Sequence, residues 1–195
     1  MKIDLIRHGA TAGNLQKRYI GITDENLCEQ GIADLKKLKP VLKQRSLLIV
    51  SPMRRCIQTA EILYPGQEII LCEDFRECDF GDFENHNYQE LSSNPDYQHW
   101  IDSNGTACFP NGESPEAFKH RTVRAFEKIV RNFNQASIAI VAHGGTIMAI
   151  LEKFAVPKKD YYAYQIPNAY GYKTEYQENQ LHILTKITPE SAINC

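Results

Sequence analysis

Paired cysteines, a basic excess and long apolar runs are all missing from this sequence. Its six cysteines, at positions 28, 56, 72, 78, 108 and 195, are scattered without a CxxC pair. That argues against a thiolate metal site or a disulfide framework, and reduced thiols in a cytoplasmic protein are expected. The 22 Lys and Arg nearly balance 24 Asp and Glu, for a formal charge of −2. A nucleic-acid-binding domain needs a strongly basic face, so no nucleic-acid partner is expected. The lysine cluster Lys36, Lys37, Lys39 and Lys43 reads as the solvated face of a helix. No apolar stretch approaches the ~20 residues of a membrane span. The first residues also lack the charged, apolar, then small pattern of a secretion signal. Neither a membrane partner nor export is expected.

What the chain does have is alternation. Lys2–Ile6 reads as a strand, Leu47–Val50 as a buried strand stopped by Ser51 and Pro52, and Ile69–Leu71 as a short third. Ser137–Ala142 is another buried strand. Between them lie helical stripes: Ile32, Leu35 and Leu38 on a helix over Glu29–Leu38 that Pro40 kinks or ends, then Ile57, Ala60, Ile62 and Leu63. The strongest helix opens at Ser114 as N-cap, with Pro115 in first position and Glu116 against the dipole. Its stripe runs Phe118, Thr122, Ala125, Phe126, Ile129, Val130, Phe133. A last helix spans Thr146–Phe154, and Tyr170–Ile187 reads as a β-hairpin turning at Glu178 and Asn179.

Strands alternating with helices predict an α/β three-layer sandwich, with a mainly parallel central sheet flanked by helices plus a C-terminal hairpin. The length, 195 residues, suits one domain, 1–195. Between Gly81 and Ser114 the pattern is poor, rich in Asn, Asp, Pro and aromatics. A lid-like insertion at about 82–113 and a short helical excursion covering the sheet are the two readings. The hairpin, with Tyr170, Tyr172 and Tyr176, reads either as an edge that pairs in a homodimer or as one guarded by Lys173 and Glu175.

Two strands end in histidine followed by glycine, "IRHGAT" and "VAHGGT", and a third ends in "SPMRR". In a parallel sheet these ends converge on one crevice, which then holds Arg7, His8, Arg55 and His143. Arginine forks match phosphate oxygens and helix N-termini offer amides to an anion, so the crevice suits a phosphate. Gly9 is expected to let the turn approach that phosphate closely. A neutral imidazole in such a pocket can attack phosphorus and carry the phosphoryl group as a covalent intermediate. Cationic clamps stabilise the transferring group, and an acid is needed for the leaving oxygen. "DFRECDFGDFE" offers five carboxylates for that role: Asp74, Glu77, Asp79, Asp82 and Glu84.

These motifs together resemble the histidine phosphatase, or phosphoglycerate mutase-like, superfamily over nearly the whole chain. "RHGAT" matches its RHG signature, "YIGITDENLCEQG" its YxGxxDxxLTxxG stretch, and "SPMRRCIQTA" its SPLxRxxQTA helix. "FRECDFGDFE", "PNGES" and "VAHGGT" match in the family's order. The resemblance implies His8 as phosphorylated nucleophile, with Arg7, Arg55 and His143 binding the phosphoryl group. It singles out Glu77 as proton donor and then base, and implies Asn14 and the Gly144 amide as auxiliary phosphate contacts. It implies neither metal nor cofactor. Three residues depart from the pattern. Cys28 replaces a capping threonine, at a cost of about 1 kcal/mol. Phe83 stands for a tryptophan and Asn85 for a glycine.

The stretch "NPDYQHWIDSNGTACFPNGES" resembles the α-ribazole phosphate phosphatases of cobalamin assembly. The expected partner is therefore a small phosphomonoester, with Tyr88, Tyr97, Trp100 and Phe109 available to stack on a flat heterocycle. A broad-specificity sugar or nucleotide phosphatase and a phosphoglycerate mutase are the alternatives. A phospho-ligand binder without turnover would lack one of Arg7, His8, Glu77 or His143, and all four are present.

Overall fold

Strand β1 (Lys2–Arg7) starts at the second residue and lies inside the sheet, with Ile3, Asp4, Leu5 and Ile6 all buried. After it come α1 (Ala12–Leu15), α2 (Glu29–Leu38), β2 (Leu47–Val50), α3 (Arg54–Leu63) and β3 (Ile69–Leu71). The second half holds α4 (Pro95–Asp102), α5 (Pro115–Asn132), β4 (Ile138–Ala142), α6 (Gly144–Phe154), β5 (Ala155–Val156), β6 (Gly171–Gln177) and β7 (Gln180–Ile187). The computed structural model describes residues 1–189, so Cys195 falls outside it. The five described cysteines are free thiols.

Among the described residues, seven strands form one sheet in the order β3-β2-β4-β1-β6-β7-β5. β1 to β4 pair in parallel, while β6 runs antiparallel to both β1 and β7. The two faces divide by the period of two that strand geometry imposes. Ile138, Ile140 and Ala142 of β4 join Phe126, Ile129 and Ile147 from α5 and α6. Ala139 and Val141 join Leu35, Leu38, Ala60 and Leu63 from α2 and α3 on the other side. Helix, sheet and helix thus make the three layers that the alternation predicts.

Three details extend or differ from the sequence reading. The β6 strand of the hairpin is not an edge, since it lies between β1 and β7, while β7 is paired by β5 only at Leu181 and His182. Lys173 consequently donates to Val41 O at 3.2 Å rather than guarding a rim. Helix α6 begins two residues early, with His143 as its N-cap, because Gly144 and Gly145 open it despite their poor helix propensity. The segment around 82–113 contains α4, capped by Asn94, whose side chain accepts from Asp96 N at 2.9 Å and Tyr97 N at 3.1 Å. This segment also builds its own apolar cluster, in which Phe83, Leu91, Tyr97 and Phe109 pack on Phe118 of α5 and Ala149 of α6. Asn85, in the place of a family glycine, takes φ +62°, a left-handed conformation that asparagine tolerates.

Candidate active site

The register of β1 on β4 pairs Arg7 with Ala142, so the next residues, His8 and His143, leave the sheet side by side. Their ring centroids are 5.1 Å apart at 67°. On the other flank of β4, Ser51 N donates to Val141 O at 3.0 Å, and α3 begins three residues later. That start sends Arg55 inward, fully buried, while Arg54 stays exposed and pairs with Asp24 at 3.4 Å. Arg55 is held by donations to Thr23 O and Gly21 O, each 2.7 Å, and from Nε to His143 Nδ1 at 3.3 Å. A second, longer Nη2 contact goes to Ile20 O at 3.5 Å, which leaves one Nη1 hydrogen for an anion.

Hydrogen bonding sets the state of each histidine. His8 Nδ1 lies 2.7 Å from Gly9 O, an acceptor only, so Nδ1 carries the proton and Nε2 keeps a lone pair. Burial holds the His8 pKa well below 6.5, with Arg55 and Arg7 adding repulsion, so the ring is neutral near neutral pH. His143 is lowered by burial and Arg55 in the same way. Its Nε2 lies 2.7 Å from Ser51 Oγ. With Nδ1 accepting from Arg55, Nε2–H is the donor to the serine.

Of the five candidate carboxylates, the structure brings only Glu77 to this place. Glu77 Oε2 accepts from Gly145 N at 3.0 Å and Oε1 from Cys78 N at 3.1 Å. Burial raises its pKa above 4.5, against the pull of those two amides and of Arg55 and Arg7. Glu84 instead accepts from the Gly21 and Ile22 amides at 2.8 and 3.0 Å. Asp79 caps Gly81 N at 2.9 Å, Asp82 bonds Asn111, and Asp74 is exposed. A Cβ on Gly145 would strike the Glu77 carboxylate, which is why the second glycine of "HGG" has to be one. Gly9 has a different reason from the one expected. A Cβ there would come within 2.7 Å of Leu35 Cδ1 and 3.1 Å of Gly31 O, so this glycine admits α2, not a phosphate.

A cavity of about 680 Å³ opens on this cluster, within the range of small-ligand sites. Arg7, Asn14, Glu77 and Gly144 line its inner end. His8, Arg55 and His143 are packed in the layer behind them, 3%, 0% and 0% exposed. Arg7 donates through Nη1 to Ile166 O at 2.6 Å, but its buried Nε has no partner. A buried guanidinium N–H left unpaired at a cavity is a place for an incoming acceptor. Tyr88, Trp100 and Phe109 reach the cavity wall; Tyr97 does not, because its ring is buried in the α4 cluster.

A family model described as the histidine phosphatase superfamily (branch 1) matches residues 3–187. The chain belongs to that superfamily. Among its relatives is "Uncharacterized phosphatase PhoE" of Bacillus subtilis, 29% identical over 184 residues, 92% of this chain and 90% of that one. Another is the adenosylcobalamin/alpha-ribazole phosphatase of Salmonella typhimurium, 26% identical over 159 residues, 78% and 79% of the two chains. The crystal structure of the alpha-ribazole phosphatase from Shigella flexneri superposes with a TM-score of 0.87 at 22% identity, covering 97% of each chain, a likeness of fold.

Within this superfamily member the motifs left several site residues unread. Ser51 was visible only as part of "SPMRR", and its tie to His143 needed the strand register. Cys56 lies 3.5 Å from His143 Nε2, and burial pushes its thiol up to about 12. Asn168 contacts both Asn14 and His8 from a segment 160 residues away in sequence from His8, which no local pattern could supply. Lys119 and Glu152, paired at 2.8 Å on the cavity wall, come from two separate helices.

Proposed function

We propose that the protein is a phosphomonoesterase that works through a phosphohistidine at His8, without a metal. The observation that carries this reading is the free Nε2 of a neutral, buried His8 beside the unpaired Arg7 Nε and the Arg55 guanidinium. In the first half-reaction His8 Nε2 attacks phosphorus, and the bond to the ester oxygen breaks as Glu77 gives that oxygen its proton. Arg7, Arg55, the Asn14 amide and the Gly144 N–H at the start of α6 take up charge on the equatorial oxygens. An arriving phosphate dianion also favours the protonated form of His143, whose added Nδ1 hydrogen becomes a donor once the Arg55 Nε–H turns from it to the phosphate. In the second half-reaction the Glu77 carboxylate takes a proton from water, the oxygen attacks phosphorus, and the His8–phosphorus bond breaks. Inorganic phosphate leaves and both groups return to their starting states.

The alcohol half of the ester would lie against Tyr88, Trp100 and Phe109. These aromatic faces favour a flat heterocycle, and the relatives named for α-ribazole phosphate make that nucleotide-like ester the preferred substrate. The Lys119–Glu152 pair on the same wall favours a second reading, a small zwitterionic phosphate such as O-phosphoserine. Phosphate release from α-ribazole phosphate, O-phosphoserine and 3-phosphoglycerate, in EDTA, separates them. The preferred reading predicts the largest kcat/KM for α-ribazole phosphate, falling about 10–100-fold in Trp100→Ala while O-phosphoserine hydrolysis is little changed. Equal rates on all three esters would leave a general phosphatase. Interconversion of glycerate phosphates without net release would replace the phosphatase with a mutase.

A further inference from the structure

Residues 166–170, "IPNAY", belong to no helix or strand, yet they grip the turn that carries the nucleophile. Arg7 Nη1 donates to Ile166 O at 2.6 Å and the Arg7 backbone N–H to Tyr170 O at 2.8 Å. Ala169 N, in a buried residue with φ +61°, donates to His8 O at 3.0 Å. At the centre is Asn168, whose Nδ2 donates to His8 O at 3.2 Å and to Asn14 Oδ1 at 3.1 Å. That accounts for both of its amide hydrogens.

The orientation of each amide follows from backbone groups whose chemistry is fixed. His8 O can only accept, so the Asn168 atom facing it is Nδ2. The Thr11 backbone N–H can only donate, and it points at Asn14 at 3.2 Å, so the atom there is Oδ1. Asn14 Oδ1 therefore receives two donors, from Thr11 and from Asn168, and its acceptor capacity is used. The end of the Asn14 amide left for the cavity is Nδ2, a pair of hydrogens suited to an anion.

We propose that Asn168 is a positioning residue, one that turns the Asn14 amide so its donor end meets the phosphoryl oxygens while bracing the His8 backbone. This rests on the reading that the cavity binds a phosphoryl group. Asn168 does not touch the reacting Nε2 in this role; it acts through Asn14 and through His8, whose carbonyl it holds and whose ring Nδ1 its Nδ2 approaches at 3.5 Å. An acceptor-only group at 168 would face two acceptors, His8 O and Asn14 Oδ1. Relief would require the Asn14 amide to turn over and present its oxygen to an anion, or the turn to shift.

The test is a double-mutant cycle on Asn14 and Asn168, read by kcat/KM for p-nitrophenyl phosphate and by the Kd for orthovanadate. Asn14→Ala and Asn168→Ala should each lose about 10–100-fold in both, the size of one hydrogen bond to a charged group. In the Asn14→Ala background, Asn168→Ala should cost about threefold or less, because the Ala169 amide still holds the His8 carbonyl. The near-isosteric Asn168→Asp should lose at least as much as Asn168→Ala, with the circular dichroism spectrum and Tm close to wild type. Losses that multiply across the cycle, or wild-type vanadate affinity in Asn168→Asp, would overturn the role. If the wild-type protein itself neither binds orthovanadate nor cleaves the ester, the phosphatase reading falls, and this one with it.

Discussion

On the proposed mechanism, two titrating side chains have to be in opposite states at one pH, His8 without its proton on Nε2 and Glu77 with its proton on. Burial moves both the right way, because taking a charge out of water disfavours imidazolium and carboxylate alike. For His8 the folded pKa is depressed well below 6.5, so activity is lost only as pH falls through that lowered value. For Glu77 it is raised above 4.5, so activity is lost as pH climbs through the raised value. The kcat/KM profile should be a bell whose acid limb lies below pH 6.5. Glu77→Gln keeps the shape but not the proton, and should lower kcat by roughly 10²–10⁴-fold while removing the alkaline limb. An unchanged alkaline limb in that variant would take the proton transfer away from Glu77. The residue scale is also where the sequence was least explicit. "DFRECDFGDFE" offers five carboxylates by composition alone; the family resemblance points to Glu77, and the packing of Gly145 against it is the physical feature that sets it apart.

The helices were legible where caps and stripes were clear. Ser114 caps α5 as its sequence suggests, accepting from Ala117 N at 3.1 Å, and Phe118, Thr122, Ala125, Phe126, Ile129 and Val130 are the buried stripe. Helix α2 shows the opposite case: its N-cap is Cys28, whose side chain makes no capping bond. Cys28→Ser should therefore raise stability by about 0.5–1 kcal/mol, and Ser114→Ala should lower it by about 1 kcal/mol, both read by urea unfolding. A destabilised Cys28→Ser would mean the thiol packs better than a hydroxyl caps. The elements missed were those whose signals are short or non-local. Asn94–Pro95 is a cap followed by a proline at the first helical position, enough to start α4, but its buried face is one of rings, Tyr97 and Trp100, without a regular stripe. β5 is two residues long and exists because β7 offers it an edge, which no local pattern encodes. The start of α6 was misplaced because glycines argue against helix, and here they are kept for the approach of Arg7 and Glu77.

At the scale of the whole molecule, the site is a consequence of sheet order. Placing β1 beside β4 and β4 beside β2 sets "RH", "HGG" and "SPMRR" at adjacent strand ends, and a parallel register keeps those ends level. The strands and their C-terminal residues were readable from the sequence, and with them the gathering of Arg7, His8, Arg55 and His143. The far wall was not, since Asn168, Tyr161 and the Lys119–Glu152 pair arrive through chain segments whose position only the fold sets. One buried charge in the sheet was equally silent. Asp4 sits fully buried between Ile3 and Leu5 and is tolerated because Arg45 donates to both of its oxygens at 2.8 Å. On the proposed mechanism, this layout makes His8 a covalent carrier of phosphate. The measurement that tests it most directly is rapid mixing with a phosphomonoester, quenching in base, and intact-mass analysis beside His8→Ala. An alkali-stable, acid-labile phosphoryl group is expected on the wild-type protein and none on His8→Ala. No adduct on a turning-over wild type, or the same adduct on His8→Ala, would contradict it.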